Sequence, residues 1–180
     1  MELIKNKRIG KILFIVEGSK HEFSLIKKIF DRDPKSNTDS KLILNLINTL
    51  KNSRENDNNL LGGMLILSYP SIEAYEISNF CDASYLLSAE IGDDIKQFIV
   101  NNAKNISVNK ITTDSIIHAC NELMNYAAKH KITFNFDNFS NANEKIFYKE
   151  EQYYQKNHSY FLLSMMSCVL LDLGILKEHN

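Results

Sequence analysis

Two short apolar runs constrain this chain more than anything else in it. Residues 11–16 (KILFIV) and 63–69 (GMLILSY) are rich in β-formers, and each is closed abruptly, the first by Glu17-Gly18 and the second by Pro70. Runs of this length and composition read as buried strands. Residues 21–30 place Phe23, Leu25, Ile26 and Phe30 at helical spacing, and residues 31–39 form a loop with Pro34 as breaker. Asp39 or Ser40 can cap a helix to about residue 51, with Leu42, Leu44, Leu46, Ile47 and Leu50 as its apolar side. Residues 52–59 are polar and read as loop. Beyond Pro70, residues 71–80, 93–102, 113–130 and 141–154 read as helices, with Thr113 or Asp114 as a cap for the third. Residues 157–173 are apolar nearly all round, so a central packed helix is expected there. The expected fold is α/β: a small, mostly parallel sheet flanked by helices (1–90), with a helical C-terminal region (91–180) packed on it.

Composition supports this class. The 180 residues include 44% hydrophobic ones, so the chain can bury a core and is not of disordered type. Two Pro and six Gly are too few for a turn-dense all-β sandwich. The net charge of −1 predicts that any nucleic-acid binding rests on local basic clusters. Such clusters exist at Lys5, Lys7, Arg8 and Lys11, and at Lys20, Lys27, Lys28, Arg32 and Lys35. Cys81, Cys120 and Cys168 lack zinc-ligand spacing and fit thiols in a reducing cytosol. No apolar stretch reaches the ~20 residues of a membrane span, so a cytoplasmic location without membrane contact is expected.

Two acidic elements carry the candidate chemistry. Glu17 follows a strand directly, the end of an α/β sheet where ligands bind. Asp31-Arg32-Asp33 is a D-x-D, which in extended backbone projects both carboxylates to one side. Paired carboxylates suit Mg²⁺, a hard ion that prefers oxygen ligands, and Mg²⁺ or Mn²⁺ so held can serve phosphodiester cleavage. Arg32 and Lys35 stand beside them and could steady charge in the transition state. Each element taken alone is equally readable as an ordinary charged turn. The Tyr- and Lys-bearing segment 147–160 could stack bases or simply pack its rings in a helix pair. No Walker A loop, G-x-G-x-x-G or G-x-S-x-G occurs, so ATP hydrolysis, dinucleotide binding and serine-hydrolase chemistry are not expected.

V-E-G after a strand, followed by F-D-R-D-P, resembles the Toprim fold shared by topoisomerases, primases, the OLD-type nucleases and ribonuclease M5. Residues 63–74 (GMLILSYPSIEA) and 167–174 are similar to segments of bacterial Toprim-like proteins associated with phage defence. The resemblance implies a Mg²⁺- or Mn²⁺-dependent nuclease-like effector acting on DNA or RNA. Glu17, Asp31 and Asp33 would be its catalytic and metal-binding residues, Lys20, Arg32 and Lys35 its phosphate contacts, and Glu22 and Glu73 auxiliary acids. A partner defence protein such as an ATPase, or a second copy of the chain, would be its protein partner. The alternative is a non-catalytic Toprim-like module that docks such a partner.

One spacing departs from the Toprim pattern. Glu17 and Asp31 are 14 positions apart, whereas Toprim proteins separate these motifs by several tens of residues. A single helix over residues 21–30 would rise roughly 15 Å and carry the two acids to opposite ends of the sheet. Three explanations are open: a segment missing between 20 and 31, a helix cut to one turn, or a degenerate relative with a dead site. The first is the one we favour.

Overall fold

The structure is a computed structural model that describes residues 2–3, 31–35, 39–56, 65–134, 140–167 and 176–177. The expected strand at 11–16 and helix at 21–30 lie outside these residues, as do Glu17, Lys20 and Glu22. The described elements, in chain order, are β1 (Glu2–Leu3), α1 (Ser40–Asn56), β2 (Ser68–Tyr69), α2 (Glu73–Ser78), β3 (Ser88–Ala89) and α3 (Gly92–Asn101). They continue with α4 (Thr113–Lys129), α5 (Ser140–Asn157), β4 (Tyr160–Phe161), β5 (Leu163–Ser164) and β6 (Leu176–Lys177). The architecture is therefore a mixture of helices and small strand pairs, with helix predominating.

Helix starts follow local chemistry. Asp39 Oδ1 accepts from the amides of Lys41 and Leu42, both at 3.0 Å, and so caps α1. Of the expected apolar side of α1, Ile47 is buried and Leu44 and Leu46 pack partly buried against the core, whereas Leu42 is 53% exposed and its place is taken by Ile43. The polar stretch 52–56, expected as loop, continues the helix. Its residues are only mildly unfavourable in a helix, and the docked first turns have already met the cost of nucleation. Thr112, not Thr113 or Asp114, begins α4: Thr112 Oγ1 accepts from the Ser115 amide and Ser115 Oγ from the Thr112 amide.

The largest correction concerns residues 158–165 of the helix expected over 157–173; residues 168–173 lie outside the described residues. A packed helix was expected; the chain instead leaves α5 at His158, whose φ is +52°, and enters β4 and β5. Apolar periodicity cannot separate a buried helix from buried strands, and here free edges of earlier strands were available to pair. β4 pairs antiparallel with β3, and β5 with β2 in the register Ser68↔Ser164 and Tyr69↔Leu163. Between them the Leu162 amide donates to Leu87 O at 2.8 Å, and beyond them the Met165 amide donates to Leu67 O at 3.0 Å. β1 and β6 also pair antiparallel.

Residues 65–69 are buried throughout, as the continuous apolar run predicts, and form the centre of this arrangement. On one side lies β5. On the other, Asp31 makes a parallel bridge to Ser68, and the Arg32 amide donates to Ser68 O at 3.0 Å. Among the described residues this is the sole parallel contact; every named strand pair is antiparallel. The larger core joins Ile43, Ile47, Leu67 and Tyr69 to Leu123, Tyr126, Ile146, Phe147, Tyr160 and Met165, drawing on both sides of residue 90. A smaller core holds Ala74, Ile77, Ile95 and Leu162. Among the described residues no helix is long and apolar enough to cross a membrane.

Candidate acidic site

The D-x-D tripeptide leaves its bridge to Ser68 in extended form, so its side chains alternate. Asp31 and Asp33 reach one way. Asp31 Oδ1 accepts from the Ile72 amide at 2.8 Å, and Asp33 Oδ2 from the Gly92 amide at 3.2 Å. The two carboxylates thus meet the chain at the start of α2 and of α3. Both helix starts present amides without intrahelical partners, and a carboxylate there is favourable. Asp33 Oδ1 also accepts from the Lys35 amide at 2.8 Å, which closes the turn around Pro34. Gly92 is small for a reason: a Cβ there would stand 3.0 Å from both Cβ and Oγ of Ser71 and 3.4 Å from Asp33 Oδ2.

Around these carboxylates lie Glu73 and Lys96. Ser71 Oγ donates to Glu73 Oε2 at 2.6 Å. Lys96 Nζ lies 3.2 Å from Asp93 Oδ1 and 4.0 Å from Glu73 Oε1. The hydrogen bond to Asp93 raises the Lys96 pKa most; slight burial opposes this, and the negative charges of Glu73, Asp93 and Asp31 add to it. Asp31, Ser71 and Glu73 therefore converge just beyond the C-terminal ends of two segments in parallel contact, where α/β sheets place their ligands.

Arg32 points the other way and is 3% exposed. Its Nε donates to Glu151 Oε1 at 2.6 Å and its Nη2 to Glu151 Oε2 at 2.9 Å, the two-pronged geometry that suits guanidinium and carboxylate. Ser40 Oγ accepts from Arg32 Nη2 at 2.8 Å and donates to Glu151 Oε2 at 2.6 Å. The Tyr160 hydroxyl donates to Glu151 Oε1 at 3.1 Å, and the guanidinium carbon lies 5.5 Å from the Tyr160 ring centre. Burial works against the Arg32 charge more than any other single influence, but the Glu151 bond and the Tyr160, Glu151 and Tyr69 oxygens together raise its pKa. Beside this pair, Glu150 Oε1 accepts from the Tyr126 hydroxyl and Oε2 from the Phe161 amide at 3.0 Å. Burial drives the Glu150 pKa up to about 8, against the pull of its two donors.

Of the residues expected at the site, Asp31, Asp33 and Glu73 gather near one another, Lys35 is exposed beside them, and Arg32 is turned into the interior. Mg²⁺ would find ligands of the right chemistry in the three carboxylates. Among the described residues, however, no group of three or more His, Cys, Asp or Glu side chains is placed to hold a metal ion. The shared-metal arrangement would need Glu17, which lies outside the described residues.

Sequence reasoning missed Glu150, Glu151, Ser40 and Tyr160. A signal was present. Asn143, Ile146, Phe147, Glu150, Glu151 and Tyr154 recur at the spacing of one helix face, so the two glutamates sit on the stripe that Ile146 and Phe147 bury. The tyrosines of this segment do pack, but on strands: Tyr153 stacks on Phe161 at 3.9 Å and Tyr154 on Tyr160 at 4.6 Å. His118 joins α4 to the turn after α2, with Nδ1 2.8 Å from Ser78 O and Nε2 2.9 Å from Asp82 Oδ1. No family model matches this chain, and no curated protein or solved structure matches it.

Proposed function

We propose that this chain is a Toprim-like, Mg²⁺- or Mn²⁺-dependent phosphodiesterase that cleaves DNA or RNA, of the kind deployed in bacterial phage defence. One observation carries the reading: the D-x-D carboxylates and Glu73 collect past the ends of two segments in parallel contact. The Toprim resemblance supplies the reaction and the defence context. In this reading Asp31 and Asp33, with Glu17, would hold the ion, which would neutralise phosphate charge and activate water. Lys35 and Lys20 would meet the phosphate backbone, and the sheet would be completed in the mostly parallel manner of that fold. The test is cleavage of DNA and RNA with Mg²⁺ or Mn²⁺. Glu17→Ala and Asp31→Asn are each expected to lower it about 100-fold or more. Asn keeps an acceptor for the Ile72 amide, so the second variant separates charge from folding. Equal cleavage by all three proteins, or none by the wild type, removes the nuclease.

A second reading is favoured by a specific observation. Asp31 and Asp33 both accept from backbone amides at helix starts, a role that needs no metal. A non-catalytic module docking a defence partner such as an ATPase would use the tripeptide in that way. Retention of partner binding by Asp31→Asn, with no cleavage by any form, is the outcome that selects it.

A further inference from the structure

We infer that Glu151, acting through Arg32, is the positioning residue for the Asp31 and Asp33 carboxylates. The inference concerns the carboxylates of the proposed nuclease, and so rests on that reading for its consequence though not for its geometry. Arg32 lies between the two aspartates in extended backbone, and its amide is already fixed to Ser68 O at 3.0 Å. Its side chain is fixed at the far end by both oxygens of Glu151, with Ser40 closing a ring of three hydrogen bonds. A tripeptide anchored through its central residue at two points has little freedom to twist. The direction of the flanking carboxylates toward Ile72 N and Gly92 N then follows from alternation. The anchor comes from α5, 119 positions away in sequence, with Tyr160 of β4 steadying the same carboxylate. Supporting residues of this kind orient the groups that do chemistry and are part of the site's precision.

The Ile72 and Gly92 amide protons report the carboxylate positions directly, so the test is their NMR resonances in four variants of the full chain. In Glu151→Gln both are expected to move upfield as their hydrogen bonds to Asp31 and Asp33 lengthen. The double variant Arg32→Met with Glu151→Met removes the buried charges together; it is expected to fold and to show the same displacement. Ser40→Ala, the mildest change, gives a smaller displacement of the same sign. Glu150→Gln, the adjacent residue with different partners, leaves both resonances in place. Wild-type positions in the double variant or in Glu151→Gln, or equal displacement by Glu150→Gln, would overturn the inference. Where the wild type cleaves nucleic acid, kcat in the double variant falls about 10–100-fold. Absence of wild-type cleavage sinks the nuclease reading alone, since the amide resonances still decide the positioning role.

Discussion

The two faces of the Asp31–Arg32–Asp33 tripeptide carry opposite kinds of ion pair. On the inner face Arg32 and Glu151 are shielded from water and tied by four hydrogen bonds to each other and to Ser40. On the outer face Lys96 meets Asp93 and, at 4.0 Å, Glu73, with the Lys96 side chain 47% exposed. The Coulombic chemistry is alike, but the solvent is not. A buried pair is a poor source of net stability, yet breaking it from one side strands a charge in the interior. An exposed pair is screened and entropically loose, so removing it changes little. The inner face is therefore built to hold a geometry, and the outer face is left adjustable.

The comparison breaks most sharply at Glu151. Glu151→Gln removes the buried charge that both Arg32 Nε and Nη2 hold, and is expected to lower stability by about 3–5 kcal/mol in urea unfolding. Arg32→Met with Glu151→Met should recover most of that loss, because the hydrophobic pair has no desolvated charge to compensate. A double variant as unstable as the single one would show that the pair supplies net stability.

Glu150 tests the interior in a second way, through pH. Its folded pKa is raised to about 8 from the ordinary 4.5, chiefly by burial. The folded form therefore holds a proton that the unfolded chain releases. This contribution is fully present below pH 4.5 and is lost as pH rises toward 8. In the fully shifted limit it amounts to about 5 kcal/mol. Other groups titrate too, so the informative quantity is the difference between wild type and Glu150→Gln across the series. A constant difference from pH 4.5 to 8 would show that Glu150 does not take up a proton on folding.

The inner face also explains what could be read from the sequence. The D-x-D alternation, the buried run ending at Pro70 and the helix starting near Ser40 were legible, because each depends on neighbours within a few residues. The anchor was not. Arg32 was read as a phosphate contact because a sequence shows which charge stands beside Asp31 but not which strand turns it inward. Glu151 lies 119 positions away, and a Glu-Glu pair amid Lys and Tyr looks like a solvated helix surface. The helix expected at 157–173 hid Tyr160 for a similar reason: its conformation is decided by the open edge of β3.

On the outer face the larger effect is steric. Gly92→Ala places a Cβ 3.0 Å from Ser71 Cβ and Oγ, at the point where Asp33 meets the first amide of α3. Ser71 or the start of α3 must give by a few tenths of an ångström, at an expected cost of about 1–3 kcal/mol. The Gly92 amide should lose its bond to Asp33, while Arg32 stays anchored. An unchanged melting temperature would mean that Ser71 yields without strain.

The smallest effect is expected at Lys96. Its pairs with Asp93 and Glu73 are exposed, and Lys96→Ala should change stability by about 0.5 kcal/mol or less. The same substitution removes a positive charge that lies among Asp31, Glu73 and Asp93. In the proposed nuclease a divalent cation would compete with that charge for the carboxylates, so removing it would strengthen Mn²⁺ binding while leaving folding nearly untouched. Mn²⁺ relaxation titration of wild type and Lys96→Ala, alongside urea unfolding of both, separates the two. A stability loss near that of Glu151→Gln would erase the contrast between the faces, and unchanged Mn²⁺ affinity, or none, would count against the proposed cation site at Glu73.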